Sequence, residues 1–220
     1  MALANFDELN VLSTGLFEVP EKSRRAKPYD EYFGDMYLTQ EQIDRRIALA
    51  EELEDIVGFY LLMMLTETQY GFSYDSSRLA FIEQLEEADI GDDDYRENLA
   101  DELTDSTEDN LDDTVGALWF FSQDRAMFVA ENEANTLENQ QDFEDALARG
   151  FTRKQWVGIP DHRERRTHRE LNDTIIPIEE YFDIGLAKGL FPKDVSSVLS
   201  TLPDHPEELI NCRCSVSYLP

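Results

Sequence analysis

The residues best suited to chemistry lie near the C-terminal end of the sequence. His162 and His168 are six positions apart, and Cys212 and Cys214 follow about 45 positions later. Thiolate sulfur and imidazole nitrogen are the donors that structural zinc sites use. One hypothesis is therefore a four-ligand zinc site built from these residues, with Asp161 as the alternative to His162.

The spacing of these residues leaves a second interpretation open. A Cys-x-Cys pair is tighter than the usual separation of zinc cysteines, and the spacing of the two histidines is also irregular. The alternative is a structural cluster without a cofactor, in which half-buried thiols pack near Trp156 and arginines pair with acids. We do not expect a disulfide between the cysteines, because residues i and i+2 of a strand usually sit too far apart for S–S geometry.

A catalytic function would need a nucleophile beside a base, or paired carboxylates. Cys214 with His168 could form a thiol–imidazole pair, and His162, His168 and Arg165 could form an acid–base set. Nothing in the sequence brings these residues together, and no Walker-type phosphate loop is present. We therefore expect that the protein is not an enzyme, and a metal-dependent hydrolase remains an alternative.

Several short motifs in a fixed order carry a resemblance to a known family. They read Lys-x-Trp, then Asp-x-Arg-x-Arg-x-x-His, then Glu-x-Phe, and finally Asn-Cys-Arg-Cys. Over residues 125–218 the chain resembles the phage Mu F-like head morphogenesis family, the minor head proteins of tailed phages, including an asparagine-containing helix that leads into the domain. The matching residues are Glu131, Asn132, Glu133, Ala134, Asn135, Asn139, Lys154, Trp156, Asp161, Arg163, Arg165, His168, Glu180, Phe182, Asn211, Cys212, Arg213 and Cys214.

The resemblance implies a structural minor head protein of a tailed phage or prophage. Such a protein is made in the bacterial cytoplasm and joins the virion near the portal. Its partners would be the portal and other head proteins during procapsid assembly, with effects on DNA packaging or ejection. Two departures from the family pattern occur: Asn172 and Asp173 stand in a turn that usually carries glycine, and Leu202–Pro206 replaces an Asp-Pro-rich loop.

Charge divides the chain and limits its partners. The 220 residues include 19 Lys and Arg against 48 Asp and Glu, a formal net charge of -29. Residues 151–220 hold 9 basic and 11 acidic residues, which leaves 10 and 37 in residues 1–150, a net charge of -27. Phosphate and anionic lipid would repel such a surface, so we expect at most weak local DNA contact and no membrane partner.

Local concentrations of charge suggest two further interpretations. Residues 83–113 hold fifteen acids and one basic residue, Arg96. They predict a solvated surface, and they support an alternative function as an acidic decoy that imitates DNA and binds a basic host protein. A basic patch consists of Arg163, Arg165, Arg166 and Arg169. We expect these arginines either to pair with neighbouring acids or to contact an acidic partner or DNA phosphate.

The overall pattern predicts an α+β protein in three parts. An extended N-terminal arm covers residues 1–38, an elongated acidic helical region covers 39–150, and a small mixed α/β domain covers 151–220. The opening residues lack the pattern of a signal peptide. The longest apolar run, Ile56 to Leu65, has 10 residues, whereas a membrane-spanning helix needs roughly 20.

Hydrophobic periodicity and turn residues predict the individual elements. The first helix, at 39–69, should begin with a capping box of Thr39 and Gln42. A helix from Ser106 to a glycine cap at Gly150 would span about 65 Å if unbroken, which is too long for a compact domain of this size. It implies an elongated molecule, a helical hairpin, or a break near Gly116 or Asn132. The other predicted elements are a helix at 76–87, weak helix at 90–105, strands at 154–159, 174–178 and 212–218, and a short helix at 165–171.

Overall fold

The computed structural model describes residues 27–70, 74–109, 119–194, 208 and 212–220, without the side chains of 66–70. A helical region precedes a C-terminal part that has small antiparallel strands and one short helix, which confirms the predicted α+β fold. The helices are α1 Tyr29–Gly34, α2 Gln40–Tyr70, α3 Tyr74–Glu87, α4 Asp93–Glu108, α5 Gln123–Ala148 and α6 Arg166–Leu171. The strands are β1 Arg153–Val157, β2 Ile175–Pro177, β3 Phe182–Ile184, β4 Ala187–Gly189 and β5 Ser215–Leu219.

Backbone contacts group the described residues into two compact units. One contains Ala50–Ala130, and the other contains Lys27–Leu49 together with Glu131–Pro220. We call them the acidic unit and the C-terminal unit. Compactness alone does not identify independently folding domains, so the division at residues 38 and 150 stays a prediction.

The start of α2 confirms the predicted capping box. The Thr39 backbone N–H donates to Gln42 Oε1 at 3.0 Å, and the Gln42 N–H donates to Thr39 Oγ1 at 3.3 Å. This reciprocal pair satisfies two of the backbone donors that a helix start leaves open. In the acidic unit, apolar residues that recur at helical spacing along α2 are buried, with Ala50, Val57 and Leu61 at most 2% exposed.

The prediction of weak helix at 90–105 was wrong, because α4 is a full helix. Its N-cap is Asp92, whose Oδ1 accepts the Tyr95 backbone N–H at 2.8 Å. Leu99 and Leu103 lie on its buried face, where Arg96 Nε donates to the Ile90 carbonyl. The apolar positions recur at helical spacing, and the many acids between them obscured it. The acids of α4 are exposed, which agrees with the predicted solvated surface.

The structure shows a break between Ser106 and Gly150, one of the three alternatives for this segment. Helix α4 ends at Glu108, and α5 begins at Gln123 after a turn and a bend. Helix α5 passes through Asn132 without a break, while Gly116 lies outside the described residues. Gly150, with φ of +77°, ends the helix as predicted, since a left-handed residue favours glycine.

The N-terminal arm contains one element that the sequence analysis missed. Helix α1 lies within the predicted extended region of residues 1–38, and its side chains of Tyr29, Tyr32 and Phe33 are buried. Three aromatics in five positions bury enough apolar surface to stabilise one and a half turns of helix, which is marginal in isolation. Residues 1–26 of the arm lie outside the described residues.

The C-terminal unit is built on a three-stranded antiparallel sheet in the order β2-β1-β5. Strand β1 pairs with β2 through Lys154 opposite Ile176, and with β5 through Trp156 opposite Val216. Strand β2 lies at the edge, as Pro177 predicts. Strand β5 begins only at Ser215, so the two cysteines precede it rather than lying within it as predicted.

A hairpin that the sequence analysis missed completes this unit. Strands β3 and β4 pair across a turn at Gly185, whose φ of +63° favours glycine. Phe182 and Ile184 of β3 pack with Trp156, Cys212 and Cys214 in one buried cluster. Among the described residues, no helix is long and apolar enough to cross a membrane.

The turn before β2 explains one departure from the family pattern. Asp173 has φ of +63°, in the left-handed region where glycine is the usual residue and aspartate is tolerated. The side chains of this turn also tie it to β1. Asn172 Oδ1 accepts the Gly158 N–H at 2.8 Å, and Asp173 Oδ1 accepts from Gln155 Nε2 at 3.0 Å.

Candidate functional site

Three of the predicted metal ligands meet in the core of the C-terminal unit. His168 Nδ1 lies 3.4 Å from Cys212 Sγ and 3.4 Å from Cys214 Sγ. The three ligand atoms all lie within 4.8 Å of one another, and all three residues are buried. Both cysteines are free thiols. We call His168, Cys212 and Cys214 the Cys-His cluster.

The environment of the cluster favours a thiolate at Cys212. Burial raises the pKa of the Cys212 thiol, but hydrogen bonds with Cys214 and His168 outweigh burial and hold that pKa well below its ordinary value. The Cys214 pKa is raised by the hydrogen bond with Cys212 and by burial. Burial lowers the His168 pKa, and the bond with Cys212 reverses this so that the net direction is upward.

Helix α6 and the β1 strand position the histidine. His168 lies on the buried side of α6 and is 2% exposed. The Trp156 ring meets the imidazole edge-on, with ring centroids 5.6 Å apart and planes at 88°. The Trp156 N–H acts to lower the Cys214 pKa, against the larger effects that raise it. The rings of Trp156 and His168 therefore pack against each other, and this contact helps to fix the orientation of the imidazole.

The residue between the cysteines is anchored by Asp161. Arg213 Nη2 donates to Asp161 Oδ2 at 2.7 Å, and Asp161 Oδ1 accepts the backbone N–H groups of Arg163 and Glu164 at 2.8 and 3.1 Å. Partial burial raises the Asp161 pKa, but the hydrogen bonds from Arg213 and Arg163 outweigh it and lower the pKa well below its usual range. Two motif segments 52 positions apart are therefore joined by one carboxylate.

We expect Asp161→Asn to lower the free energy of unfolding by about 1–3 kcal/mol. The change keeps the oxygen that caps the turn and removes the charge-assisted bond to Arg213. Urea unfolding of the purified chain measures the effect. Asp183→Asn, which breaks an exposed pair with Lys188, is the control and should cost less than about 1 kcal/mol. Equal costs for the two variants would contradict the anchoring role.

Asparagines on α5 tie the C-terminal segment to a buried arginine. Asn135 Nδ2 donates to the Cys212 carbonyl at 3.2 Å, and Asn139 Nδ2 donates to the Pro192 carbonyl at 3.1 Å. On their other side, Asn135 Oδ1 and Asn139 Oδ1 accept from Arg46 Nε and Nη2 at 3.2 and 3.1 Å. Each amide therefore bridges α2 and a loop near the cluster. This is the structural use of the asparagine helix in the motif set.

Two lysines are also buried in the C-terminal unit. Lys154 is fully buried, with Nζ 5.1 Å and 5.3 Å from the ring centroids of Phe143 and Phe182. Burial lowers the Lys154 pKa to about 8, although Asp194 and Glu180 act in the opposite direction. Lys193 donates to the carbonyl and side-chain oxygen of Asn132, and burial lowers its pKa to about 8 as well.

Three of the four arginines of the basic patch pair with neighbouring acids. Arg163 contacts Asp161 at 3.3 Å, and Arg166 contacts Glu170 at 2.8 Å. Arg169 Nε lies 3.2 Å from Glu164 Oε2. These pairs agree with the first interpretation of the patch, internal pairing. Contact with DNA phosphate or an acidic partner stays a prediction.

The remaining predicted residues have different fates. His162 is exposed and is not part of the Cys-His cluster, and Arg165 is partly buried. Asn211 lies outside the described residues. Sequence reasoning missed Glu208, whose Oε2 lies 3.3 Å from His168 Nε2, and the buried Arg46. The sequence does carry a signal for Arg46, because this residue falls on the apolar side of α2 between Ile43 and Ala50. It carries no such signal for Glu208.

Together these contacts define an α+β protein whose C-terminal unit is fixed by a buried Cys-His cluster, a carboxylate anchor and an asparagine-bearing helix. Residues 90–217 match the family model described as "Phage Mu protein F like protein". This match covers more than half of the chain, so the protein belongs to the phage Mu F-like family and is a phage head-related protein. Comparisons with curated proteins and with solved structures give no match.

Proposed function

We propose that this chain is a structural minor head protein of a tailed phage or prophage that associates with the portal during procapsid assembly. The match of residues 90–217 to a head-related family carries the proposal. In this proposal the protein stays in the virion head near the portal and influences DNA packaging or ejection. Its partners are the portal and other head proteins.

The chemistry of the described residues supports a structural role rather than a catalytic one. Cys212, Cys214 and His168 are 2–4% exposed, so a substrate would have little access to them. Their contacts fix one segment of chain against another, through Asp161 and Asn135. A nucleophile and base that serve catalysis are expected to face an accessible site.

The charge of the acidic unit argues against binding of this unit to packaged DNA. The acids of α4 are exposed, and those not paired with arginine present a negative surface to solvent. Such a surface repels phosphate, so docking is left to the C-terminal unit, where residues 151–220 have a net charge of only -2. The chain would therefore contact proteins of the head rather than coat the genome.

Quantitative mass spectrometry of purified particles, procapsids and host lysate tests the proposal. We expect the chain in procapsids and virions at low copy relative to the major capsid protein, and its loss from procapsids assembled without the portal. Presence that is independent of the portal would overturn the portal association alone. Detection only in the lysate would overturn the head role.

A charge-neutralised variant separates this proposal from the acidic decoy. Asp94→Asn, Glu97→Gln and Asp105→Asn remove three exposed charges from α4 and leave its buried face unchanged. A minor head protein that docks through its C-terminal unit should still enter particles. A decoy should lose its salt-sensitive binding to a basic host protein, because that binding depends on the charges. Retained host binding with lost incorporation would contradict the proposed role.

A further inference from the structure

The Cys-His cluster has the donor set and the spacing of a metal site. In a tetrahedral zinc site the metal lies about 2.3 Å from sulfur and about 2.0–2.1 Å from nitrogen, which separates a sulfur from a nitrogen by about 3.5 Å. Both sulfur–nitrogen distances in the cluster are 3.4 Å. Two sulfurs and one imidazole nitrogen are donors that select zinc over calcium or magnesium.

A hydrogen bond from His168 alone does not account for both sulfur contacts. His168 Nδ1 offers either one proton or one lone pair, yet two sulfurs approach it at the same distance. One in-line hydrogen bond can satisfy only one of them. A cation at the centre of the three donors would interact with all of them at once, and it would also favour the thiolate form of both cysteines.

The other imidazole nitrogen has a carboxylate beside it, at ion-pair distance although without hydrogen-bond geometry. His168 Nε2 lies 3.3 Å from Glu208 Oε2, and the Thr167 hydroxyl holds the same oxygen at 2.8 Å. Metal-binding histidines usually present their second N–H to a carboxylate, which fixes the ring and its tautomer. Gly185 makes room for Glu208, since a Cβ at that position would lie 2.4 Å from Oε1.

The segment that carries the cysteines is fixed on both sides. The Cys212 carbonyl accepts from Asn135, and Arg213 is held by Asp161. The ligands are therefore positioned by contacts that do not involve the metal, so little ordering is required on binding. A preorganised site of this kind is the usual condition for tight and specific metal binding.

We propose that His168, Cys212 and Cys214 bind one Zn²⁺ ion, with Glu208 orienting His168 through its second nitrogen. Structural zinc is four-coordinate, so one further ligand joins these three. The exposed His162 is not a ligand. The proposal concerns the purified chain and stands apart from the head role, so either can fail without the other.

Metal analysis of the tag-free full chain tests the site. Wild type should carry about one zinc per chain, and Cys212→Ser or Cys214→Ser should carry less than about a tenth of that. His162→Ala is the matched control and should retain the metal. Glu208→Gln should bind zinc roughly 10- to 100-fold more weakly. A wild type that neither holds zinc nor binds it on titration overturns the proposal, as does loss of zinc in His162→Ala.

A measurement on wild type alone guards against variants that fail to fold. Cobalt(II) added to the metal-free chain should give the intense sulfur-to-metal absorption and tetrahedral ligand-field bands of a thiolate site. Zinc should protect both thiols from a thiol reagent, and a chelator should expose them. Thiol reactivity that is unchanged by zinc and chelator would leave only a hydrogen-bonded cluster and overturn the site.

Discussion

Arg46→Met should lower the free energy of unfolding by about 3–5 kcal/mol, one of the largest effects expected of a single charged residue in this chain. Methionine fills much of the same volume but cannot donate. Asn135 Oδ1 and Asn139 Oδ1 then lose their donors inside the core, and an unsatisfied buried polar group costs about 1–3 kcal/mol. Denaturant unfolding monitored by circular dichroism measures the change.

The neighbouring Arg45 provides a matched control. Arg45 lies on α2 beside Arg46, and it pairs with Glu138 and Asp142. Its side chain is 35% exposed, whereas that of Arg46 is 0% exposed. Arg45→Met should cost less, about 1 kcal/mol, because the Arg45 side chain is partly exposed and Arg46 remains beside Glu138 and Asp142. If the two variants were equally destabilised, the buried amide contacts would not be the reason for the cost.

A double-mutant cycle can assign the energy to the amide contact. Arg46→Met and Asn139→Ala should be non-additive by at least about 0.5 kcal/mol, since residues in one hydrogen-bond network couple. The same cycle with Arg45→Met should show a smaller coupling, because the hydrogen bonds of Arg45 go to Glu138 and Asp142 rather than to Asn139. Additivity in both cycles would contradict the bridging role of the asparagine.

Local patterns in the sequence predicted the elements that depend on local physics. The capping box at Thr39 and the glycine stop at Gly150 are each determined by residues within one helical turn. The strands at Lys154 and Ile175 follow from short apolar runs bounded by turn residues. These elements were predicted to within a few residues.

The missed elements depend on contacts between distant residues. Helix α4 looked too acidic to be stable, yet it is stabilised by burial of Leu99 and Leu103. The β3–β4 hairpin has only three residues per strand, and it is stabilised by packing Phe182 against Trp156. No pattern within such short segments indicates that partner.

The candidate site divides in the same way. The motif order brought His168 and the two cysteines into one hypothesis, and the structure brings those three together. The motif order could not indicate Glu208, because this residue lies near His168 only in the folded chain. His162 seemed equally suitable from its residue type, but its position before α6 leaves it exposed.

Lys154 should make the stability of this chain rise with pH above about 8. Its pKa is lowered to about 8 in the folded state, whereas the ordinary value for lysine is 10.5. Between these two values the unfolded chain binds more protons than the folded chain, so the free energy of unfolding rises with pH. A pKa shift of this size corresponds to a gain in the free energy of unfolding of roughly 3 kcal/mol at most, and the full gain is reached above about pH 10.5. Below about pH 8 the burial penalty applies in full.

Comparing wild type with Lys154→Met isolates this contribution, because Lys193 and the other titrating groups are common to both proteins. The stability of wild type relative to the variant should increase by up to roughly 3 kcal/mol between pH 7 and pH 10.5, as measured by urea unfolding at each pH. Lys188→Met, which removes an exposed lysine from β4, controls for the loss of one positive charge from an acidic chain. A constant difference between wild type and Lys154→Met would mean that the contacts of the ammonium with Phe143 and Phe182 fully offset its burial. If the stability of wild type rises with pH relative to Lys154→Met but not relative to Lys188→Met, the burial of Lys154 dominates. The core then holds a charged lysine at neutral pH at a cost to the stability of the chain.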